Sequence, residues 1–223
     1  MPVSGKIIIQ DGIVYESFVK NVAVVGYDST CHPMPAITIP AMIDGKPVTE
    51  VQKSAFEGLC SLINVTLPES CRKIHLNAFK DCLGLVSVSV PGIPKMGQFY
   101  VEQQAFANCK SLKVLDVGEA YIWLEKEAFM GCVSLEIVAG KLFEVEERAF
   151  HNCPNLLGLI VASHGHLSAK TFGNSQPRML SIEGKLTRPS RTLFRGLKDT
   201  KILCTDQFPY WDLVYEGYHI QAQ

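Results

Sequence analysis

No apolar stretch in this sequence approaches the roughly 20 residues that a membrane-spanning helix requires. Val22-Ala23-Val24-Val25 is typical of its longest runs, so a transmembrane helix is excluded. Charge is also scarce: 19% of 223 residues are charged and the net charge is −1. Against a hydrophobic content of 47%, that balance excludes a disordered chain and is enough for a continuous core. Enzymatic signatures are missing too. There is no phosphate-binding glycine loop, no GxGxxG, no HExxH and no GxSxG, which removes the usual sequence warrants for nucleotide, zinc-protease and serine-hydrolase chemistry. No pair among the eight cysteines has CxxC spacing, so a chelating thiolate bite is absent. The N-terminus, Met1-Pro2-Val3-Ser4-Gly5-Lys6, lacks the basic and apolar regions of a secretory signal. On that reading the protein stays inside the cell or is the processed form of an exported one.

What the chain has is repetition. Ala78-Phe79 is followed by Cys82, Leu85, Val88, Val90 and Pro91, and the same spacing returns at Ala105-Phe106 with Cys109, Ala128-Phe129 with Cys132, and Ala149-Phe150 with Cys153. Ala55-Phe56 opens the series with Leu59 at the cysteine position; weaker copies stand on Thr171-Phe172, with Ser175 in that place, and Leu193-Phe194. The Phe-to-Phe steps are 23, 27, 23, 21, 22 and 22 residues, a period that belongs to leucine-rich repeats rather than helical-pair repeats. The expected fold is an α/β repeat solenoid: a right-handed superhelix of short parallel strands joined by single helical or 3₁₀ turns. An aliphatic residue five before each Phe (Val51, Ile74, Val101, Leu124, Val145, Leu167) marks a short inward-pointing extended segment. Equivalent residues of successive units stack roughly 5 Å apart, so Phe56, Phe79, Phe106, Phe129 and Phe150 are expected to form an aromatic spine. Cys82, Cys109, Cys132 and Cys153 are expected to form a ladder of buried thiols.

Residues 1–47 fall outside the period and are β-rich, with Asp11-Gly12 between two apolar runs as a strong hairpin signal. They read as an N-terminal cap over the first rung. Residues 48–205 hold about seven repeats, and 206–223, with Phe208, Tyr210, Trp211, Tyr215 and Tyr218, read as an aromatic C-terminal cap within one solenoid domain. The longest step leaves room for a loop at Pro91–Gln98.

The combination Ile39-Pro40, Ile43-Asp44-Gly45-Lys46-Pro47-Val48 and Ala55-Phe56, followed by repeated Ala-Phe-x-x-Cys-x-x-Leu-x-x-Val-x-Leu-Pro, resembles the BspA-like, or Treponema pallidum-type, leucine-rich repeats over roughly residues 36–205. The resemblance implies a non-catalytic interaction module of the cell surface or secreted space, linked to adhesion and host-protein binding. It carries over no catalytic residues. The lack of an export signal keeps the cytoplasm as the alternative compartment.

Since repetition explains the Phe and Cys positions as core, the candidate partner-binding residues are the outward columns of the principal strand. Eight after Phe these are Asn64, Ser87, Val114, Ile137, Gly158 and Ile202; ten after, Thr66, Ser89, Asp116, Ala139, Ile160 and Cys204. A contiguous face partly apolar around Val114, Ile137 and Ile160 suits a protein partner. A third column, Glu102, Glu125 and Glu146, reads as a solvated charged edge, with calcium binding as the minor alternative. His151, His164 and His166 lie close in sequence without a further ligand indicated, so no metal or cofactor is expected, and Cys31-His32 is a poor nucleophile pair because neighbours on an extended chain face opposite ways. Residues 102–147 carry nine acidic and four basic groups, and residues 170–201 eight basic and two acidic. That polarity makes self-association through opposite ends the second reading, an intracellular scaffold. Nucleic acid is disfavoured, since the aromatics within the basic run are the repeat positions Phe172 and Phe194 alone.

Overall fold

The computed structural model describes residues 5–28, 30, 34–184, 197–204 and 220–222. The Leu193-Phe194 copy, Cys31-His32 and the aromatic segment 206–218 lie outside the described residues, as do Lys185, Arg188, Arg191 and Arg195 of the basic stretch.

The N-terminal segment folds as its turn chemistry dictates. Strands β1 (Lys6–Gln10) and β2 (Ile13–Ser17) pair antiparallel around Asp11 and Gly12, whose φ angles of 52° and 74° are the positive pair that a two-residue hairpin matching strand twist requires. Strand β3 (Val22–Tyr27) adds antiparallel to β2, and then the sheet changes character. β4 (Ala36–Thr38) and β5 (Met42–Ile43) lead through a second hairpin at Asp44-Gly45 into β6 (Lys46–Val51), which lies parallel to β3. From there every rung pairs in parallel. The strands are β7 (Asn64–Thr66), β8 (Lys73–Ile74), β9 (Ser87–Ser89), β10 (Gln98–Val101), β11 (Val114–Leu124), β12 (Ile137–Val145), β13 (Gly158–Leu167), β14 (Met179–Ile182), β15 (Lys201–Cys204) and β16 (Ile220–Ala222).

Two parallel ladders result. One runs β4, β7, β9 and the start of β11; the other runs β3, β6, β8, β10 and the end of β11. β11 is long enough to join both, and β12 and β13 continue the junction. β4 thus enters the parallel ladder although it lies within the stretch expected to be cap. The inward aliphatics Val51, Ile74, Val101, Leu124, Val145 and Leu167 all sit on the second ladder and are buried.

The aromatic spine is continuous and extends to Phe172. Successive centroids from Phe56 through Phe79, Phe106, Phe129, Phe150 and Phe172 are separated by 5.1, 5.2, 5.1, 5.7 and 6.0 Å. The cysteine ladder lies beside it, fully buried and unbridged. Each thiol donates to the phenylalanine carbonyl of the preceding rung: Cys82 to Phe56, Cys109 to Phe79, Cys132 to Phe106 and Cys153 to Phe129, at 2.9 to 3.1 Å. Ser175 continues the column, its hydroxyl donating to Phe150 O at 2.6 Å. Burial pushes the Cys153 thiol up to about 12 and holds Cys82 and Cys132 well above the usual thiol range, so these groups stay protonated donors.

The expectation of helical or 3₁₀ turns is corrected. The described residues contain no helix, and the frame is a β-solenoid of about seven turns. The reason is a division of the backbone amides at the Phe corner. Ala55, Glu57 and Leu59 donate within the rung to Gln52, Ser54 and Phe56 carbonyls, whereas Ser54, Phe56 and Gly58 donate to Leu76, Ala78 and Lys80 of the next rung. A 3₁₀ turn would direct all its amides inward along its own chain. Alternation demands left-handed backbone two before and two after Phe, and Ser54, Asn77, Gln104, Glu127 and Arg148 supply it on one side at φ near +54° to +61°. The corner is therefore hydrogen-bonded from rung to rung, as the strands are.

Candidate functional site

Strand register decides which of the predicted residues share a face. Asn64, Ser87, Val114, Ile137 and Gly158 are direct neighbours on successive strands, and the column continues through Met179 to Lys201. Beside it run Thr66, Ser89, Asp116 and Ala139. The first half of this face is polar and cross-linked: Ser87 Oγ donates to Asn64 Oδ1 at 2.7 Å, and the Thr66 and Ser89 hydroxyls lie 3.4 Å apart. Asp116 Oδ1 accepts the Gly118 amide at 2.9 Å. The second half is apolar. Ile137 and Ile160 are each 40% exposed and Met179 38%, with Met179 Cε lying over Gly158, where a Cβ would meet it at 3.4 Å.

Three of the expected placements fail, all through register. Ile160 stands beside Lys141, not Ala139, because β12 carries an irregularity against β13 between the Ile137–Gly158 and Lys141–Ile160 pairs. Ile202 and Cys204 are buried and point inward. Met179 and Lys201 begin their strands seven residues after Phe172 and Phe194, one fewer than in earlier rungs, and a one-residue slip turns every side chain to the opposite face. Lys201 and Leu203 take the outward positions.

The Pro91–Gln98 loop does leave the frame. Ile93 anchors it in the core while Met96 is 68% exposed at φ 63°. Gly97 O accepts the Tyr121 amide at 2.7 Å, and Lys95 pairs with Glu119 at 3.2 Å.

The glutamate column has a structural use that its spacing did not reveal. Glu102, Glu125 and Glu146 each accept a backbone amide of the preceding rung, from Leu76, Gln103 and Lys126, at 3.0 to 3.1 Å. At the N-terminal end His75 lies between two carboxylates, 3.0 Å from Glu50 and 3.2 Å from Glu102, and Lys73 meets Glu102 at 2.6 Å. The hydrogen bond that His75 donates to Glu50 raises the His75 pKa above its ordinary value, and the same bond lowers that of Glu50. Glu125 is displaced upward, by burial first and then by the charges of Glu102 and Glu146.

His164 is exposed within β13 at φ 61° and His166 is half-buried opposite Glu144. Among the described residues no group of three or more His, Cys, Asp or Glu side chains is arranged to hold a metal ion, and no helix is long and apolar enough to cross a membrane. Of the basic stretch, Lys170 pairs with Glu147 at 3.2 Å.

Periodicity passed over a second outward cluster. Tyr100, Trp123 and Glu144 are register neighbours on the second ladder. The Tyr100 and Trp123 rings stack at 5.0 Å, and Phe143 tilts against Trp123 at 4.8 Å and Tyr121 at 5.6 Å. Aromatics six before the repeat Phe in two adjacent rungs, Tyr100 and Trp123, were the available signal.

Comparison with known sequences places a match to the family described as BspA type Leucine rich repeat region, in six copies, over residues 29–100, 49–179 and 93–201. No curated protein matches the chain. Among solved structures it is similar to a leucine rich cell surface protein from Faecalibacterium prausnitzii, at 18% identity and TM-score 0.61 over 98% of this chain. The chain spans about half, 54%, of that protein's length. It is also similar to the T. pallidum leucine rich repeat protein, at 22% identity and TM-score 0.55, covering 98% of this chain and all of the other. At these identities the likeness is one of fold.

Proposed function

Because the chain belongs to the BspA-type leucine-rich repeat family, we propose that it is a non-catalytic interaction module that holds a protein partner on the outward face of its first ladder. One observation carries this reading. Residues with no core duty form an outward surface, register-aligned apart from Ile160, polar at Asn64, Thr66, Ser87, Ser89 and Asp116 and apolar at Val114, Ile137, Ala139, Ile160 and Met179. The polar half orients a partner through hydrogen bonds, and the apolar half supplies desolvation at its centre. Every inward column is occupied by packing, so binding residues can vary here without disturbing the frame. The partner class is a host or cell-surface protein, and the role is adhesion; the family and the cell surface protein of similar fold support both.

The test is saturable binding of purified protein to immobilised extracellular-matrix extract. Ile137→Asp with Ile160→Asp places two charges in the apolar half and is expected to abolish binding while leaving circular dichroism and melting unchanged. Equal binding by the double variant overturns the site.

A further inference from the structure

The cluster on the second ladder owes its form to a β-bulge. Between the Ile122–Leu142 and Trp123–Glu144 pairs, β12 has one residue more than β11, and that residue is Phe143. Leu142 and Val145 stay buried on either side, so Phe143 and Glu144 both turn outward opposite the single Trp123. Bulges of this kind re-aim side chains beside binding sites. The earlier occupants of the same column are Lys73 and Glu50, which suit a solvated ladder; aromatic rings there have no packing duty in the core.

The Tyr100 and Trp123 rings wall a recess of about 190 Å³ lined by Tyr100, Val101, Trp123, Leu124, Glu125, Glu144 and Glu146. Pockets for drug-sized molecules occupy about 300–1,000 Å³, so this one suits a single side-chain head group. Glu125 and Glu146 each commit one oxygen to a backbone amide, and among the described residues none of the three carboxylates makes an ion pair. Aromatic faces beside carboxylates that hold no ion pair are complementary to a cation that has a flat or apolar body. Between the two cationic side chains, arginine fits better. Its planar guanidinium stacks on Trp and Tyr and bridges carboxylates in a fixed fork, whereas an ammonium acts as a point charge.

We infer that the recess bounded by Tyr100, Trp123, Glu125, Glu144 and Glu146 is a receptor for an arginine side chain presented by an extended basic segment of a protein partner. The guanidinium lies against the Trp123 ring while Glu144 and Glu125 meet its charge. A neutral sugar would use the ring faces but would leave three carboxylates desolvated for no return.

This site is separate from the Ile137 and Ile160 face, and its test is separate as well. Trp211→Phe leaves Trp123 as the sole tryptophan, since the chain has two, and its fluorescence reports the recess. Titrated with acetyl-Gly-Arg-Gly-Arg-Gly-amide at low salt, it should change saturably. The citrulline counterpart, equal in shape and uncharged, should bind at least about tenfold more weakly. Glu144→Gln should weaken the arginine peptide several-fold with the circular dichroism spectrum unchanged, and raising salt to about 0.3 M should do the same to the parent protein. The Ile137→Asp and Ile160→Asp background should bind the peptide as before. Equal binding of the citrulline peptide, indifference to Glu144→Gln, or saturation by a neutral oligosaccharide in place of the arginine peptide would overturn the assignment.

Discussion

The spine makes a quantitative claim about where along the solenoid a phenylalanine matters most. Phe106 stacks on Phe79 at 5.2 Å and on Phe129 at 5.1 Å, both within 5° of parallel. Phe56 has a single described ring partner in the spine, Phe79 at 5.1 Å. Replacing either with leucine retains most of the apolar volume, so the shape change itself costs under about 1.5 kcal/mol. Each lost ring pair adds about 0.5–1.5 kcal/mol beyond area burial. Phe106→Leu therefore loses two pairs and should destabilise by about 2–4 kcal/mol, and Phe56→Leu, losing one, by about 1–2.5 kcal/mol. With a urea m-value of about 2–3 kcal/mol/M, the central substitution lowers the midpoint by roughly 1 M and the terminal one by roughly half that. Urea denaturation followed by far-UV circular dichroism measures both midpoints. Equal shifts, or a larger shift for Phe56→Leu, would refute a stabilisation that depends on stacking rather than on burial alone.

Two further outcomes follow from the side-chain columns. Ellman's reagent applied to native protein should modify exposed Cys60 and spare Cys71, Cys82, Cys109, Cys132, Cys153 and Cys204, all of which react once the chain is denatured; peptide mass mapping of native protein that finds Cys109 or Cys132 labelled would contradict the ladder. His75 has a folded-state pKa raised above 6.5, so its contribution to stability is fully present below 6.5 and is lost as pH rises through the raised value. Glu50 and Glu102 are lowered from 4.5 and contribute above 4.5, losing that contribution as pH falls through their folded values. The triad is thus strongest between about 4.5 and 6.5, and His75→Gln should flatten the decline in urea midpoint above 6.5; an unchanged decline would show that the titrating group lies elsewhere.

Much of the frame was legible because repetition multiplies a weak signal. A single Phe followed three residues later by Cys says little, but Phe79, Phe106, Phe129 and Phe150 in register leave one way to bury all four rings. The inward aliphatics from Val51 to Leu167 were readable on the same ground. Ser175 is the instructive case: as a break in the cysteine pattern it looked like decay, yet its hydroxyl makes the same bond to the preceding Phe carbonyl that each thiol makes. Chemistry was preserved where identity was not. The helical turn was misread because Ala-Phe-x-x-Cys has the right length for one, and length alone does not reveal whether an amide points along its own chain or to the next rung. Ser54 and Gly58 at positive φ carried that information, but five different residue types at the first of these positions hid it. The outward columns were partly legible up to Gly158 and failed beyond, where one residue fewer between Phe and strand inverted Ile202 and Cys204.

The same sensitivity to single residues explains why the aromatic recess escaped a reading built on period. A strict repeat places every outward residue opposite its equivalent, so it can generate columns but never a cavity. A cavity needs one strand to hold more residues than its neighbour over the same span. In β12 that surplus is Phe143, which tips against Trp123 and Tyr121 and leaves Glu144 opposite Trp123 at the rim of the recess. Nothing in the composition of Lys141-Leu142-Phe143-Glu144-Val145 marks the surplus, because Leu142 and Val145 are both plausible inward residues in either register. Only the neighbours on both sides, Ile122 paired to Leu142 and Leu124 paired to Val145, show that three residues of β12 separate steps that β11 covers in two. Deleting Phe143 would therefore restore the register while removing the ring that packs against Trp123, which separates the energetics of the solenoid from the recess cut into it.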